Sequence, residues 1–252
     1  MVQETLKNLA AMHGGACVYE FAQGEAFKVA AAQQRHSVQH TKGTWNDQGK
    51  MYKMVLRGDP FDQSEMGGVC ATICAFWIAF HANQGQKGGS SFTNDRAFWD
   101  YLFNGGGLNM GAAMNIVVEH HQSTGNQLQH IANVLSHFKV IRRTKRTGGG
   151  NIAHGFVPFN PSTTFSCARE ITANYGYKLI QLKKELDGSG SGHMVCAWCE
   201  GQDVLFMDPN LGEYWFPHQK AFNVWLTYFW TNTYGRNNNY KAMRVHDWVY
   251  NG

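Results

Sequence analysis

A cysteine, a histidine and an aspartate follow one another along this chain in contexts that suit thiol-based covalent catalysis. Cys70 follows a pair of glycines, His193 follows a run of glycines and serines, and Asp208 begins an Asp-Pro-Asn turn. In such a set the thiolate attacks a carbonyl, the imidazole takes and returns the proton, and the carboxylate orients the imidazole. The order of nucleophile, base and carboxylate predicts an enzyme that forms a covalent intermediate.

The context of Cys70 predicts a helix that begins at the nucleophile. The run from Val69 to Ala82 is apolar nearly all round, which is typical of a buried helix. Amides and the dipole at a helix N-terminus favour a thiolate. We expect the backbone amide of Cys70 and the side chain of Gln63 to bind the developing oxyanion, with Ser64 as the fallback donor.

The contexts of His193 and Asp208 predict a β-hairpin that makes them neighbours. Residues 193–200 and 203–208 read as strands, and Gly201 and Gln202 form the two-residue turn between them. Residues on adjacent strands lie about 5 Å apart. Helical periodicity dominates before residue 175 and strands dominate after it, so we predict an α+β fold with a helical lobe packed on an antiparallel sheet lobe.

Each of the three residues also has a purely structural interpretation. A cysteine among apolar residues is usually a small buried hydrophobe, and Asp-Pro-Asn is usually just a turn. The joint arrangement favours catalysis. Cys196 and Cys199 form a Cys-x-x-Cys pair, but no second pair completes a zinc site, and on a strand they point to opposite faces. We interpret them as packing residues and predict no metal and no cofactor.

Composition limits the class of protein. The 252 residues are 43% hydrophobic and 16% charged, so the chain folds and buries a core. The net charge is +4, and the basic run 142–146 has no interleaved aromatic residues, so nucleic-acid binding is not expected. A membrane surface has no support beyond this mild charge. The first thirty residues do not have the pattern of a cleaved signal peptide.

Around these residues the chain resembles the YopT-like (AvrPphB-like) cysteine proteases of bacterial effectors. The resemblance covers about residues 60–230. The most specific block is Asp-Pro-Asn-x-Gly-Glu followed by an aromatic residue. The matching positions are Gly68-Val69-Cys70, Cys74, Trp77-Ile78, Gly192-His193, Val195, Ala197 and residues 206–214.

The resemblance implies a papain-like fold and a triad of Cys70, His193 and Asp208 that cleaves a protein in a target cell. It also implies a virulence effector or toxin that is secreted into the host cytoplasm with the help of a secretion apparatus or chaperone. We expect residues 51–252 to form the protease domain, helical over about 60–175 and sheet over about 176–250, after a segment 1–50 of unknown role. A deamidase or transglutaminase with the same triad, and an inactive papain-like binding module, remain alternatives.

Overall fold

The computed structural model describes residues 2–24, 26, 69–88, 96–122, 127–144, 155–189, 192–235 and 239–251. The chain divides into two compact units. The sheet unit consists of Met1–Phe21 and Lys139–Gly252, and the helical unit consists of Ala22–Phe138. None of the helices in the described ranges has the length and apolar character needed to cross a membrane.

Most of the helices precede residue 175 and the long strands follow it, as the α+β prediction requires. The helices are α1 (Val2–Met12), α2 (Val69–Gly88), α3 (Ala97–Leu102), α4 (Met110–Gln122), α5 (Gln127–His137), α6 (Thr164–Thr172) and α7 (Gln219–Trp230). A π-helix, Thr231–Gly235, follows α7 directly. The strands are β1 (Ala16–Tyr19), β2 (Phe103–Asn104), β3 (Gly107–Leu108), β4 (Val140–Arg142), β5 (Val157–Pro158), β6 (Gly176–Lys183), β7 (Gly192–Glu200), β8 (Asp203–Asp208), β9 (Gly212–Phe216) and β10 (Ala242–Tyr250).

The helical unit is built around α2, which contacts α3, α4 and α5. Its side chains are buried nearly all round the first three turns, from Val69 to Ala79. The aromatic rings of Phe80 and Tyr101 stack with centroids 4.5 Å apart and join α2 to α3. The sequence prediction of a buried helix that begins at Cys70 is confirmed, and the helix extends to Gly88.

The sheet unit contains one large antiparallel sheet. Its strand order is β1-β9-β8-β7-β6-β10-β4, and β5 also pairs with β10. One face of the sheet packs against α1, α6 and α7 in a single hydrophobic core. Aromatic side chains dominate this core: Trp225 of α7 contacts Phe206 of β8 and both Tyr214 and Phe216 of the neighbouring strand β9. The predicted α+β class is confirmed.

The first 21 residues belong to the sheet unit. The sequence predicted residues 1–50 as a separate segment of unknown role. β1 pairs with β9, and the indole Nε1 of Trp225 donates a hydrogen bond to the carbonyl of Leu6 at 3.0 Å. The helical–sheet boundary near residue 175 also differs, because α6 and β4 lie in the sheet unit. β1 and β4 have only four and three residues, too few for a readable alternation. The boundary at residue 50 lies outside the described residues.

A buried ion pair crosses the sheet away from the predicted catalytic residues. Lys178 on β6 lies directly opposite Asp247 on β10, and Nζ is 2.5 Å from Oδ1. The side chains are 0% and 3% exposed. The amide of Asn174 also approaches the same carboxylate oxygen at 3.5 Å. Buried charges require such partners, because an isolated ion loses its hydration without compensation.

We expect Lys178→Met to destabilise the protein by about 3–5 kcal/mol, because it leaves the Asp247 carboxylate buried without its cation. The double variant Lys178→Met, Asp247→Leu should recover much of that loss, since no uncompensated charge remains. Denaturant unfolding measures both. The exposed Lys241–Glu185 pair is the control, and Lys241→Met should change stability by less than about 1 kcal/mol. Equal effects of the single and double variants would contradict this interpretation.

Candidate active site

The predicted hairpin brings His193 and Asp208 into direct contact. β7 and β8 pair in an antiparallel register in which Cys196 faces Met207 and Ala197 faces Phe206. Continuing that register places His193 and Asp208 on the same face, one diagonal step apart. His193 Nε2 lies 2.9 Å from Asp208 Oδ1, and the two side chains are 5% and 0% exposed. The expected contact between these two residues is confirmed.

The Asp208 carboxylate accepts hydrogen bonds at both of its oxygens. The backbone amide of Asn210 donates to Oδ1 at 2.8 Å, alongside His193. The phenol of Tyr234 donates to Oδ2 at 2.8 Å. The Asp-Pro-Asn turn therefore does more than reverse the chain, because its own amide helps to hold the buried carboxylate as an acceptor.

Tyr234 and Asn210 complete the surroundings of the histidine. The rings of His193 and Tyr234 stack with centroids 5.0 Å apart and an interplanar angle of 19°. The side-chain amide of Asn210 donates to the Tyr234 hydroxyl at 3.0 Å and lies 3.5 Å from His193 Nε2. The sequence interpretation gave neither residue a role. Asn210 stood within the quoted Asp-Pro-Asn motif, whereas Tyr234 follows α7 at a position without a local signal.

The direction of the histidine–aspartate hydrogen bond determines what the imidazole can do. An ionised carboxylate only accepts, so Nε2 carries the proton that it donates to Asp208. In the neutral imidazole the lone pair then belongs to Nδ1. The Asp208 negative charge also stabilises the imidazolium that forms when Nδ1 accepts a proton. An imidazole held in this way can act as a base oriented by a carboxylate, which is what thiol catalysis requires.

Cys70 is the second residue of α2 and belongs to the helical unit, whereas His193 and Asp208 belong to the sheet unit. Its side chain is 4% exposed. The helix-terminal position expected for the nucleophile is confirmed. Its role as the nucleophile stays a prediction, and so does the oxyanion assignment, because Gln63 and Ser64 lie outside the described residues.

The other cysteines lie in environments that suit packing. All six are free thiols. Cys199 belongs to the core and its thiol donates to the carbonyl of Ile171 at 3.6 Å, whereas Cys196 is buried on the opposite sheet face. Within the described parts of the chain, no three His, Cys, Asp or Glu side chains are arranged to hold a metal ion.

Alkylation should distinguish Cys70 from the remaining thiols. Burial raises the pKa of Cys17 to about 11 and the pKa values of Cys167 and Cys199 to about 12. At pH 7 only about one in 10⁴ of these thiols, or fewer, is ionised and reactive. Cys70 instead lies in the first turn of α2, at the position expected of the nucleophile.

We therefore expect iodoacetamide at pH 6–7 to modify Cys70 first in the native protein. Peptide mapping after a short exposure measures the order of modification. The unfolded protein is the control, since all six thiols should then react at similar rates. Rapid modification of Cys17 or Cys199 with Cys70 untouched would contradict the nucleophile assignment.

Comparisons with known proteins agree with the sequence resemblance. The model of the Peptidase_C58 family, described as Yersinia/Haemophilus virulence surface antigen, matches residues 108–248, more than half of the chain. This match contains His193 and Asp208 and begins after Cys70.

Two curated relatives share parts of the sequence. The "Protein adenylyltransferase and cysteine protease IbpA" of Histophilus somni is 27% identical over 204 residues, which are 72% of this chain and 4% of that protein. The "Cysteine protease yopT1" of Yersinia enterocolitica is 43% identical over 61 residues, 23% of this chain and 18% of that protein. The chain thus matches less than a fifth of the length of either relative.

Among solved structures, the Pseudomonas avirulence protein AvrPphB aligns with a TM-score of 0.44 and 15% identity, over 71% of this chain and 91% of that chain. The family-model match is what establishes the relationship, because it spans most of the sheet unit and contains both residues of the histidine–aspartate pair. The chain belongs to the Peptidase_C58 family, the YopT-like cysteine peptidases.

Proposed function

We propose that this chain is a cysteine protease that hydrolyses a peptide bond in a protein of a target cell, with Cys70, His193 and Asp208 as its catalytic residues. The observation that carries the proposal is the buried 2.9 Å contact between His193 Nε2 and Asp208 Oδ1. This contact leaves Nδ1 of His193 to act as a base. The thiol of Cys70, at the N-terminus of α2 in this Peptidase_C58 chain, is the acid whose proton that base would take.

In the proposed acylation step, His193 Nδ1 takes the proton of the Cys70 thiol and the sulfur attacks the carbonyl carbon of the substrate. The carbonyl oxygen becomes an oxyanion, which the Cys70 amide and the Gln63 side chain stabilise. The imidazolium returns the proton to the amide nitrogen, the C–N bond breaks, and the amine product leaves. A thioester on Cys70 remains.

In the proposed deacylation step, water replaces the amine. His193 takes a proton from the water as it attacks the thioester, and the tetrahedral intermediate collapses to a carboxylic acid and the free thiol. Asp208 keeps its negative charge throughout and compensates the imidazolium in both steps. Hydrolysis therefore regenerates the enzyme with every proton accounted for.

The proposal extends to an effector or toxin that is secreted from a bacterium, with a secretion apparatus or chaperone as its delivery partner and a host protein as its substrate. Its support is the virulence antigen in the description of the matching family. The segment 1–50 remains without an assigned role in this proposal, although part of it folds into the sheet unit.

Mass spectrometry of protein N-termini in a host-cell lysate tests the proposal. The lysate is treated with the wild-type chain, with Cys70→Ala, or with Cys17→Ala as a matched cysteine control. We expect new N-termini in the wild-type and Cys17→Ala samples and none with Cys70→Ala. Identical N-termini in all samples, together with side-chain deamidation or amine addition that requires Cys70, would favour the acyl transferase alternative.

A further inference from the structure

Three side chains of the π-helix after α7 donate hydrogen bonds to carbonyl groups of α7. The hydroxyl of Thr231 donates to the carbonyl of Thr227 at 2.8 Å, and the amide of Asn232 donates to that of Tyr228 at 2.9 Å. Thr233 makes the same contact with the carbonyl of Phe229. Three consecutive side chains thus bond to the carbonyl four residues before them. π-Helical turns are rare in proteins, and they lie frequently at functional sites.

This π-helix places Tyr234 against both members of the histidine–aspartate pair. Its hydroxyl donates a hydrogen bond to Asp208 Oδ2, and the other carboxylate oxygen, Oδ1, faces His193 Nε2. Its ring covers one face of the imidazole, and the Asn210 amide orients its hydroxyl as a donor to Asp208. At 4% exposure the phenol is removed from water, so its hydrogen bond to a charged group is a strong one.

We propose that Tyr234 is a positioning residue of the protease: its hydroxyl fixes the Asp208 carboxylate and its ring fixes the plane of His193. This inference rests on the proposed function, because it assigns Tyr234 a task only if His193 acts as the base. Rotation of the carboxylate would break the bond to Tyr234, and tilting of the imidazole would lose the stacked contact. The tyrosine therefore narrows the orientations in which Nδ1 presents its lone pair.

Tyr234 also packs in the core, where its ring contacts Phe229 and Tyr240. A purely structural tyrosine would need the ring and could dispense with the hydroxyl. Tyr234→Phe keeps the ring and removes only the bond to Asp208, so it separates the two roles. Tyr234→Leu removes the stacking as well. Tyr228→Phe, which removes a hydroxyl from the preceding α7 helix, is the matched control.

We expect Tyr234→Phe to lower kcat about tenfold or more with KM nearly unchanged, since a hydrogen bond to a charged group is lost while substrate contacts remain. Tyr234→Leu should lower kcat further, and Tyr228→Phe should match the wild type. Wild-type kcat in Tyr234→Phe, with or without a rise in KM, would overturn the positioning role. Thermal melting verifies that each variant is folded.

Nitrogen-15 NMR of the His193 ring supplies a readout that needs no catalysis. Recorded in the Cys70→Ala background, the spectrum should show the Nε2-protonated tautomer, and Tyr234→Phe should add a measurable Nδ1-protonated fraction. An unchanged imidazole spectrum in Tyr234→Phe would overturn the inference. If Cys70→Ala instead remains active while Tyr234→Phe changes the spectrum, the proposed function fails and the effect of Tyr234 on the histidine stands.

Discussion

Cys70→Ala and His193→Ala should each lower kcat by about 10⁴-fold or more. In the proposed mechanism, the first removes the atom that forms the covalent bond, and the second removes the group that moves the proton in both steps. Combining the two should cost little more than either alone, because residues that act as a unit are not additive. Turnover of a protein or peptide substrate measures the effect.

The two variants should differ in stability. Cys70→Ala removes one sulfur atom and should leave the thermal midpoint nearly unchanged. His193→Ala removes a donor to the buried Asp208 carboxylate and should cost about 1–3 kcal/mol. Cys199→Ala, in the core of the sheet unit, is the control and should retain activity. Activity in Cys70→Ala would contradict the covalent mechanism. A much lower thermal midpoint in that variant would attribute its inactivity to a folding defect.

Asp208→Asn should lower kcat by on the order of 10⁴-fold, because an amide can donate to Nε2 and thereby favour the tautomer with its proton on Nδ1. In that tautomer Nδ1 has no lone pair with which to accept the thiol proton. The carboxamide keeps nearly the same volume, so most of the packing around this fully buried side chain should survive. Activity assays and denaturant unfolding together separate the two effects.

Asp208→Ala should lose activity and stability together. The Asn210 amide, the Tyr234 hydroxyl and His193 Nε2 would all lose their acceptor in a buried setting, at about 1–3 kcal/mol for each donor left unpaired. Asp247→Asn is the control for a buried carboxylate in the same sheet, and it should lose stability while keeping activity. Wild-type kcat in Asp208→Asn would show that the carboxylate does not orient the base.

The histidine–aspartate contact was predictable because it depends on local information. Two strands joined by the two-residue turn at Gly201 and Gln202 fix their own register, and the register fixes which side chains share a face. The start of α2 was predictable for a similar reason, since a glycine pair followed by an apolar run is a local pattern. Both predictions needed no knowledge of the rest of the fold.

The structural features that were not predicted depend on contacts between segments that are distant in sequence. β1 pairs with β9 about two hundred residues later, and its own four residues are too few for a readable strand pattern. Tyr234 reaches Asp208 only because a π-helix follows α7, and nothing in Thr-Asn-Thr-Tyr-Gly distinguishes that turn from a helix end. The Lys178–Asp247 pair likewise requires β6 and β10 to be neighbours in the sheet.

The intact mass of a cleaved target is the most direct test of the central claim, that Cys70 and His193 catalyse hydrolysis of a backbone amide. A target protein identified in the lysate is purified and incubated with the wild-type chain or with Cys70→Ala. We predict two fragments whose masses exceed the uncut target by about 18 Da in total, the mass of one water, and an uncut target with Cys70→Ala. A full-length target that gains about 1 Da, or the mass of an amine less that of the ammonia it displaces, would contradict proteolysis and establish acyl transfer instead.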